Sequence, residues 1–311
     1  MDKNTIIGFL LIGVVLVVFT WLNRPTPEQI EAQRRMQDSI ARVEYAKQLD
    51  EQKKLNQEIE AEAELANLPD SVRMARLQNS FGVFAQAMTG EDGFTVLEND
   101  LLEVHLSNKG GRVSYVRLKE YDNYKGEPLV LFNENDSKFD LTLITASNRV
   151  VNTGDLYFTP VKDENTNRVT MRLQAGEGSH LDFIYTLQPD NYMLQFTIQG
   201  TGLNGVLSPS TTSLDLSWQQ KIVQQEKGRR FEDRYATIYY KFAADDVDYL
   251  SETRNDSKQL SNRLRWIAYK DMYFSSILIA DNEGLESTSL DSKMLSENSP
   301  YLKEYKATTT S

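Results

Sequence analysis

The sequence predicts a mainly β protein: a large antiparallel sandwich, preceded by a single membrane helix and a charged helical stalk. Three observations carry that reading. Residues 5–22 form an uncharged apolar run, residues 28–66 are dominated by good helix formers, and from Phe94 onward the apolar residues recur with a period of two. The resulting boundaries are 1–23 for the transmembrane anchor, 24–90 for stalk and connector, and 91–311 for the β domain.

At ~1.5 Å of rise per residue, the apolar run makes a helix roughly 27 Å long, close to the hydrocarbon thickness of a bilayer. Trp21 sits at its outer end, where an amphipathic ring favours the headgroup layer. A cleaved secretory signal would show a shorter apolar core followed by a small-x-small site. Thr20-Trp21-Leu22-Asn23-Arg24-Pro25 offers no such site, so an uncleaved anchor is the better reading. No later run approaches the ~18 apolar residues of a second span, so one crossing is expected.

The composition narrows the partners. A formal charge of −11 argues against nucleic acid and against tight adhesion to anionic lipid. The absence of cysteine excludes disulfides, thiolate metal sites and cysteine nucleophiles. For topology, Lys3 and the amino terminus weigh against Arg24, Arg34 and Arg35, a weak lean toward a cytoplasmic domain. Long domains translocate largely regardless of charge, so charge alone leaves the topology open.

Pro25 and Pro27 close the membrane helix, and Thr26 can cap a new one. In the stalk Ile30, Met36, Ile40, Val43, Leu49, Leu55 and Ile59 recur too sparsely for a core helix, while Glu31/Arg35, Asp38/Arg42 and Asp50/Lys54 are favourable pairs four residues apart. A coiled coil would need an apolar seam, which Arg34 and Lys47 interrupt; a partly helical spacer fits better. Residues 71–88 read as a short helix or connector, and Thr89-Gly90-Glu91-Asp92-Gly93 punctuates the chain.

Beyond that point Leu102, Val104 and Leu106 alternate with polar residues, and residues 113–118 answer them across Asn108-Lys109-Gly110-Gly111, a tight hairpin. Further strands are expected at 129–132, 139–145, 156–158, 169–174, 181–187, 192–199 and 214–222, with turns at 176–179 and 188–191. A short helix is expected around 224–234. Strands this close, with almost no helix between them, imply an antiparallel sandwich.

Catalytic chemistry is not in view. The two histidines, His105 and His180, occupy strand positions, and no metal-ligand spacing, phosphate-binding loop or nucleophile elbow is present. The run Asp245-Asp246-Val247-Asp248 reads as a solvated turn. No catalytic, cofactor-binding or metal residue is assigned, and the residues by themselves point to a membrane-anchored sandwich used for binding or scaffolding.

Residues 264–279, LRWIAYKDMYFSSILI, resemble a signature of the large periplasmic domain of YidC-type membrane-protein insertases: a tryptophan, an aliphatic and small pair, then Tyr-Phe entering a strand. Met1-Asp2-Lys3-Asn4-Thr5 ahead of the anchor and the charged stalk are similar to members from the Bacteroidetes lineage. Asn108-Lys109-Gly110-Gly111, with Leu118 and Tyr121, resembles the family's early hairpin. The resemblance spans residues 1–280. It implies a bacterial inner-membrane protein with a cytoplasmic amino terminus and a periplasmic β-supersandwich, similar to carbohydrate-binding and mutarotase-like domains. It also implies insertion and folding of inner-membrane proteins, with or without the Sec translocon, and neither cofactor nor nucleotide. The implied partners are the lipid bilayer, the Sec translocon with its SecDF accessory subunits, and nascent membrane proteins. Gly110, Gly111, Trp266, Tyr273 and Phe274 are the signature positions.

The chain departs from the complete family pattern in lacking five further membrane helices and the arginine-bearing groove they enclose, and 301–311 reads as a sandwich cut short. A fragment is therefore expected, acting in anchoring and periplasmic interaction. The alternative is a membrane-anchored carbohydrate- or peptide-binding module. Trp266, Tyr273 and Phe274 would face a ligand in that case or pack in the core in the other; the neighbouring Ile267, Ile277 and Ile279 favour the core.

Overall fold

The computed structural model describes Gly13 and residues 68–162, 167–209, 213–244, 246–281 and 284–310. The expected membrane helix and most of the stalk lie outside the described residues. Among the described residues no helix is long and apolar enough to cross a membrane. The chain divides into two units, Met1–Arg73 and Met74–Ser311. Helix α1 (Asp70–Phe81) starts at the end of the first, where Arg73 pairs with Asp70 at 2.7 Å. A 3₁₀ helix at Gly82–Met88 follows, and its Phe84 and Ala87 belong to the same apolar core as the sheets. The fold thus draws in residues that composition grouped with the connector.

Strands β1 (Phe94–Glu98), β2 (Leu102–Ser107), β3 (Val113–Asp122) and β4 (Pro128–Phe132) form an antiparallel meander. Next come β5 (Ser137–Ile144) and β6 (Val150–Asn152), then a second meander of β7 (Thr159–Lys162), β8 (Arg168–Gln174), β9 (His180–Leu187) and β10 (Leu194–Thr201). Strand β11 (Asp215–Val223) precedes a one-turn helix, α2 (Arg229–Asp233). The chain then makes β12 (Thr237–Phe242), β13 (Val247–Tyr249), β14 (Asp256–Leu260), β15 (Leu264–Lys270), β16 (Ser275–Ile279), β17 (Glu286–Met294) and β18 (Tyr301–Thr310). A six-stranded sheet has the order β14-β17-β18-β11-β5-β6, and a four-stranded one the order β13-β12-β15-β16. All paired strands are antiparallel, as the short turns and period-two pattern require.

Alternation decides which face each strand hides. In β11 Leu216, Trp218, Gln220 and Ile222 are buried while their neighbours are only partly so. In β8 Val169, Met171 and Leu173 do the same. These side chains meet those of β2, β9, β15 and β18 in one contiguous apolar core. Two buried tyrosines satisfy their hydroxyls on backbone: Tyr185 Oη donates to Gly111 O and Tyr269 Oη to Trp218 O, each at 2.8 Å. Unpaired, either hydroxyl would cost about 1–3 kcal/mol of desolvation.

One expectation needs correction and another is refined. Residues 156–158 do not form a sheet strand: a 3₁₀ turn at Thr153–Asp155 delivers them, and only Lys109 bridges Tyr157. Leu156 O accepts from Gly110 N at 2.8 Å and Phe158 N donates to Asn108 O at 2.7 Å, so this segment is stitched to the tip of the β2–β3 hairpin. In the acidic run, Asp246 and Val247 are exposed, as a solvated turn would have them, while Asp248 is tied into the sheet. Asp248 lies in β13 and accepts from Tyr240 Oη and Lys258 Nζ, each at 2.8 Å, and the Lys258 hydrogen bond holds its carboxyl below the usual range.

The hairpin tip shows how backbone and core constrain one residue together. Gly111 has φ +60°, and a Cβ there would sit 2.6 Å from the buried Phe158 ring. Gly126 has φ +76° with nothing near its absent Cβ. Both substitutions carry left-handed strain of about 1–2 kcal/mol, but only the first adds overpacking. Gly111→Ala is therefore expected to lower stability by about 1–3 kcal/mol more than Gly126→Ala, read as the shift in urea unfolding midpoint. Equal midpoints would show that Phe158 yields without cost.

Candidate functional site: an apolar cleft beside a free strand

A cleft of about 540 Å³ opens between β3, β10 and β16, within the size range of ligand pockets. Phe139, Tyr185, Phe196 and Trp218 line its deeper part. Phe196 stacks on Tyr185 at 5.0 Å between centroids and meets Phe139 and Phe183 edge-on at 5.8 and 5.3 Å, so these rings brace one another in preferred aromatic geometries. Trp218 is held by Tyr269 stacked at 3.7 Å. The mouth carries the exposed side chains Tyr121, Tyr192, Met193, Tyr273 and Ile277. Among the described residues no formally charged side chain lines the cleft, in a chain of which 25% is Asp, Glu, Lys or Arg.

The signature positions fall in separate places. Gly110 and Gly111 form the hairpin tip, and Trp266 is half-buried on β15, outside the cleft. Tyr273 and Phe274 line the cleft; Phe274 is half-buried and Tyr273 is 64% exposed. Of the isoleucines favouring a core reading, only Ile267 is buried; Ile277 and Ile279 are exposed. The reason is local. Asp271 Oδ1 accepts from Tyr273 N at 2.7 Å and Phe274 N at 2.6 Å, making a tight turn that throws Tyr273 outward before β16 begins. Sequence reasoning missed Tyr121, Tyr192 and Phe196 as cleft residues, because nothing local marks three strands that meet only in the fold.

Burial pushes the hydroxyls of Tyr185, in the cleft wall, and of Tyr269 and Tyr305 far above their ordinary range; a perturbed carboxyl lies elsewhere, in α2. Glu232 is fully buried and accepts from Gln225 N at 2.8 Å and Glu226 N at 3.1 Å. Desolvation outweighs those donors and pushes its carboxyl up to about 7. Lys303 is also fully buried. It donates to Glu252 O at 2.6 Å, lies 3.9 Å from Asp233 Oδ1, and has its ammonium pKa lowered by burial. These groups have protein partners and do not converge on a cavity, so they read as structural. Among the described residues no set of three His, Asp or Glu side chains is placed to hold a metal.

Comparison with known proteins decides the family. The model of the YidC periplasmic domain matches residues 95–311. This chain belongs to that family. It is 65% identical over 308 residues to the membrane protein insertase YidC of Parabacteroides distasonis, covering 99% of this chain and 48% of that protein. The Bacteroides fragilis insertase YidC is 43% identical over 307 residues, covering 99% and 47% respectively. The chain thus spans about half the length of the curated relatives it matches. Among solved structures, a galactose mutarotase-like protein from Lactobacillus casei aligns with 70% of this chain and 87% of its own, at 10% identity and a TM-score of 0.37. The alternative, a membrane-anchored carbohydrate- or peptide-binding module in place of an insertase part, is not favoured, since the YidC relatives match along almost the whole chain.

Raised by burial, the Glu232 carboxyl is expected to make the stability of this domain depend on pH. The folded-state pKa of about 7 lies above the ordinary 4.5, so the fold binds this proton more tightly than the unfolded chain does. Its contribution is fully present below about 4.5 and is lost as pH rises through about 7. Glu232→Gln is expected to flatten the fall of the urea midpoint across that window. An unchanged slope would assign the response to other groups.

Proposed function

We propose that this chain is the amino-terminal part of a membrane-protein insertase, supplying its first membrane anchor and its periplasmic domain. One observation carries the reading: the chain matches YidC insertases over 99% of its length while spanning 47–48% of theirs. The uncharged run at residues 5–22 is the anchor, crossing once with its amino terminus in the cytoplasm. The four sheets of the described residues, around one core, are a β-supersandwich facing the periplasm. In this reading the domain works without a cofactor and is not an enzyme; it docks components of the Sec translocon such as SecDF, and the remaining half of the protein handles nascent membrane proteins.

The physical division of labour is clear. Insertion needs a polar path within the bilayer, because each unsatisfied backbone group in hydrocarbon costs several kcal/mol. One apolar helix without an intramembrane charge cannot provide that path, whereas it can hold the β domain at the membrane. Residues 1–311 expressed alone are therefore expected not to rescue cells depleted of their insertase. A reporter active only in the periplasm, fused after Asp92, is expected to be active. Rescue would overturn the division of labour, and activity of only a cytoplasmic reporter would overturn the topology.

A further inference from the structure

Strand β16 ends its sheet, and its outer edge faces the cleft. Its ladder to β15 runs through alternate residues: Asp271 N donates to Phe274 O and Ala280 N to Arg265 O, with a one-to-one register between them. The N–H and C=O groups of Ser275, Ile277 and Ile279 therefore point away from β15, and no strand among the described residues pairs with them. The cleft lining shows where they point. From β10 itself it takes Leu194 and Phe196, the alternate residues of one face, with Tyr192 and Met193 before the strand; from β16 itself it takes four successive residues, Ser275 to Leu278, with Tyr273 and Phe274 of the preceding turn. Side chains alternate across a strand, so four strand residues in a row line a cleft when the strand meets it along its edge.

This edge is undefended. Soluble proteins blunt free edges with charge or proline, as here in Glu98 of β1, Pro160 of β7 and both Asp256 and Lys258 of β14. Strand β16 reads Ser-Ser-Ile-Leu-Ile, with Ile277 54% exposed. A row of backbone donors and acceptors at strand spacing, beside an uncharged aromatic cleft, matches one chemistry: another extended polypeptide with apolar side chains.

The charge at one end of the edge supplies a direction. Tyr121 meets Phe274 edge-on at 5.2 Å, at the Ser275 end of β16. Beside Tyr121 is the exposed Glu120, which accepts from Tyr192 Oη at 3.1 Å and pairs with no cation among the described residues. A strand added antiparallel to β16 runs its carboxyl-terminal end toward the Tyr121 and Tyr192 end of the cleft, where the Tyr192 hydroxyl links to that carboxylate at the rim.

We propose that β16 and its cleft capture an extended apolar polypeptide segment as an added antiparallel strand, with a basic residue following the segment and meeting Glu120. This rests on the insertase reading only for the source of the strand, a client membrane protein; the capture itself is independent of it.

The test uses the 311-residue chain in phosphatidylcholine nanodiscs and a fluorescent synthetic peptide of alternating valine and threonine ending in lysines. Saturable binding above that of empty nanodiscs is expected. Methylating alternate backbone nitrogens of the peptide should weaken it about tenfold or more, because the added ladder is lost. Ile277→Pro removes an N–H that β15 does not use, so it should weaken binding while leaving the melting temperature unchanged. Glu120→Lys should reverse the preference from lysine-ended to glutamate-ended peptides, which keeps the idea testable if the proline variant fails to fold. Equal binding of the methylated peptide would overturn the edge, and an unchanged end preference would overturn the direction. Dimerisation of the chain through this edge, without peptide binding, would assign it to a second copy and overturn the proposal. Because no insertion step is measured, failure to support insertion in cells leaves this result standing.

Discussion

The pairing of β11 with β18 is the constraint on which the rest of the domain depends. Asp215 lies opposite Thr310 and Trp218 opposite Ala307, so the last described strand is threaded between β17 and β11 rather than added to an edge. That placement sets Tyr305 against Tyr269 and Lys303 against the carbonyls of Ala236 and Glu252. It also backs Trp218, which forms part of the cleft. Contacts between residues this far apart in sequence yield nothing until a long loop has closed, so such a domain folds late and cooperatively.

The interior tolerates polar groups where backbone answers them. Lys303 is surrounded by carbonyls, Glu232 by amides, and Asp271 by the amides of its own turn. Arg229 donates to the carbonyls of Ser299, Ser296 and Tyr301 at 2.7–3.1 Å, tying α2 to the start of β18. For the fully buried Lys303 the carbonyls of Ala236 and Glu252 offset a desolvation cost that an unpartnered ammonium would bear in full. The cleft follows the opposite rule, with an apolar lining and unpaired backbone at one side. That contrast separates a surface kept for a partner from polar groups kept for the fold.

Much of the architecture was legible in the residues. The tight turn at Gly110-Gly111, with φ +85° and +60°, and the alternation in β2, β3, β8, β9 and β11 follow from local pattern and stereochemistry. The helix expected at 224–234 contracts to the single turn of α2. Residues 156–158 misled because apolar residues at alternate positions also suit a segment laid across a hairpin tip. The ties of Asp248 were not legible because its partners, Tyr240 and Lys258, sit 8 and 10 residues away.

By itself the sequence determined the class of the fold and the family, because period-two burial, turn chemistry and extended identity with relatives are properties of the chain read in order. It also set the charge and the apolar run at residues 5–22. Only the tertiary structure decided which strands became edges, which aromatic rings faced a cleft and which carboxylate lost its water. Tyr273 and Phe274 adjoin in sequence, yet one is exposed and the other half-buried. The difference comes from the Asp271 turn and from strands that meet only after folding. Exposure and desolvation are set by what packs nearby in space, and no local pattern carries that information.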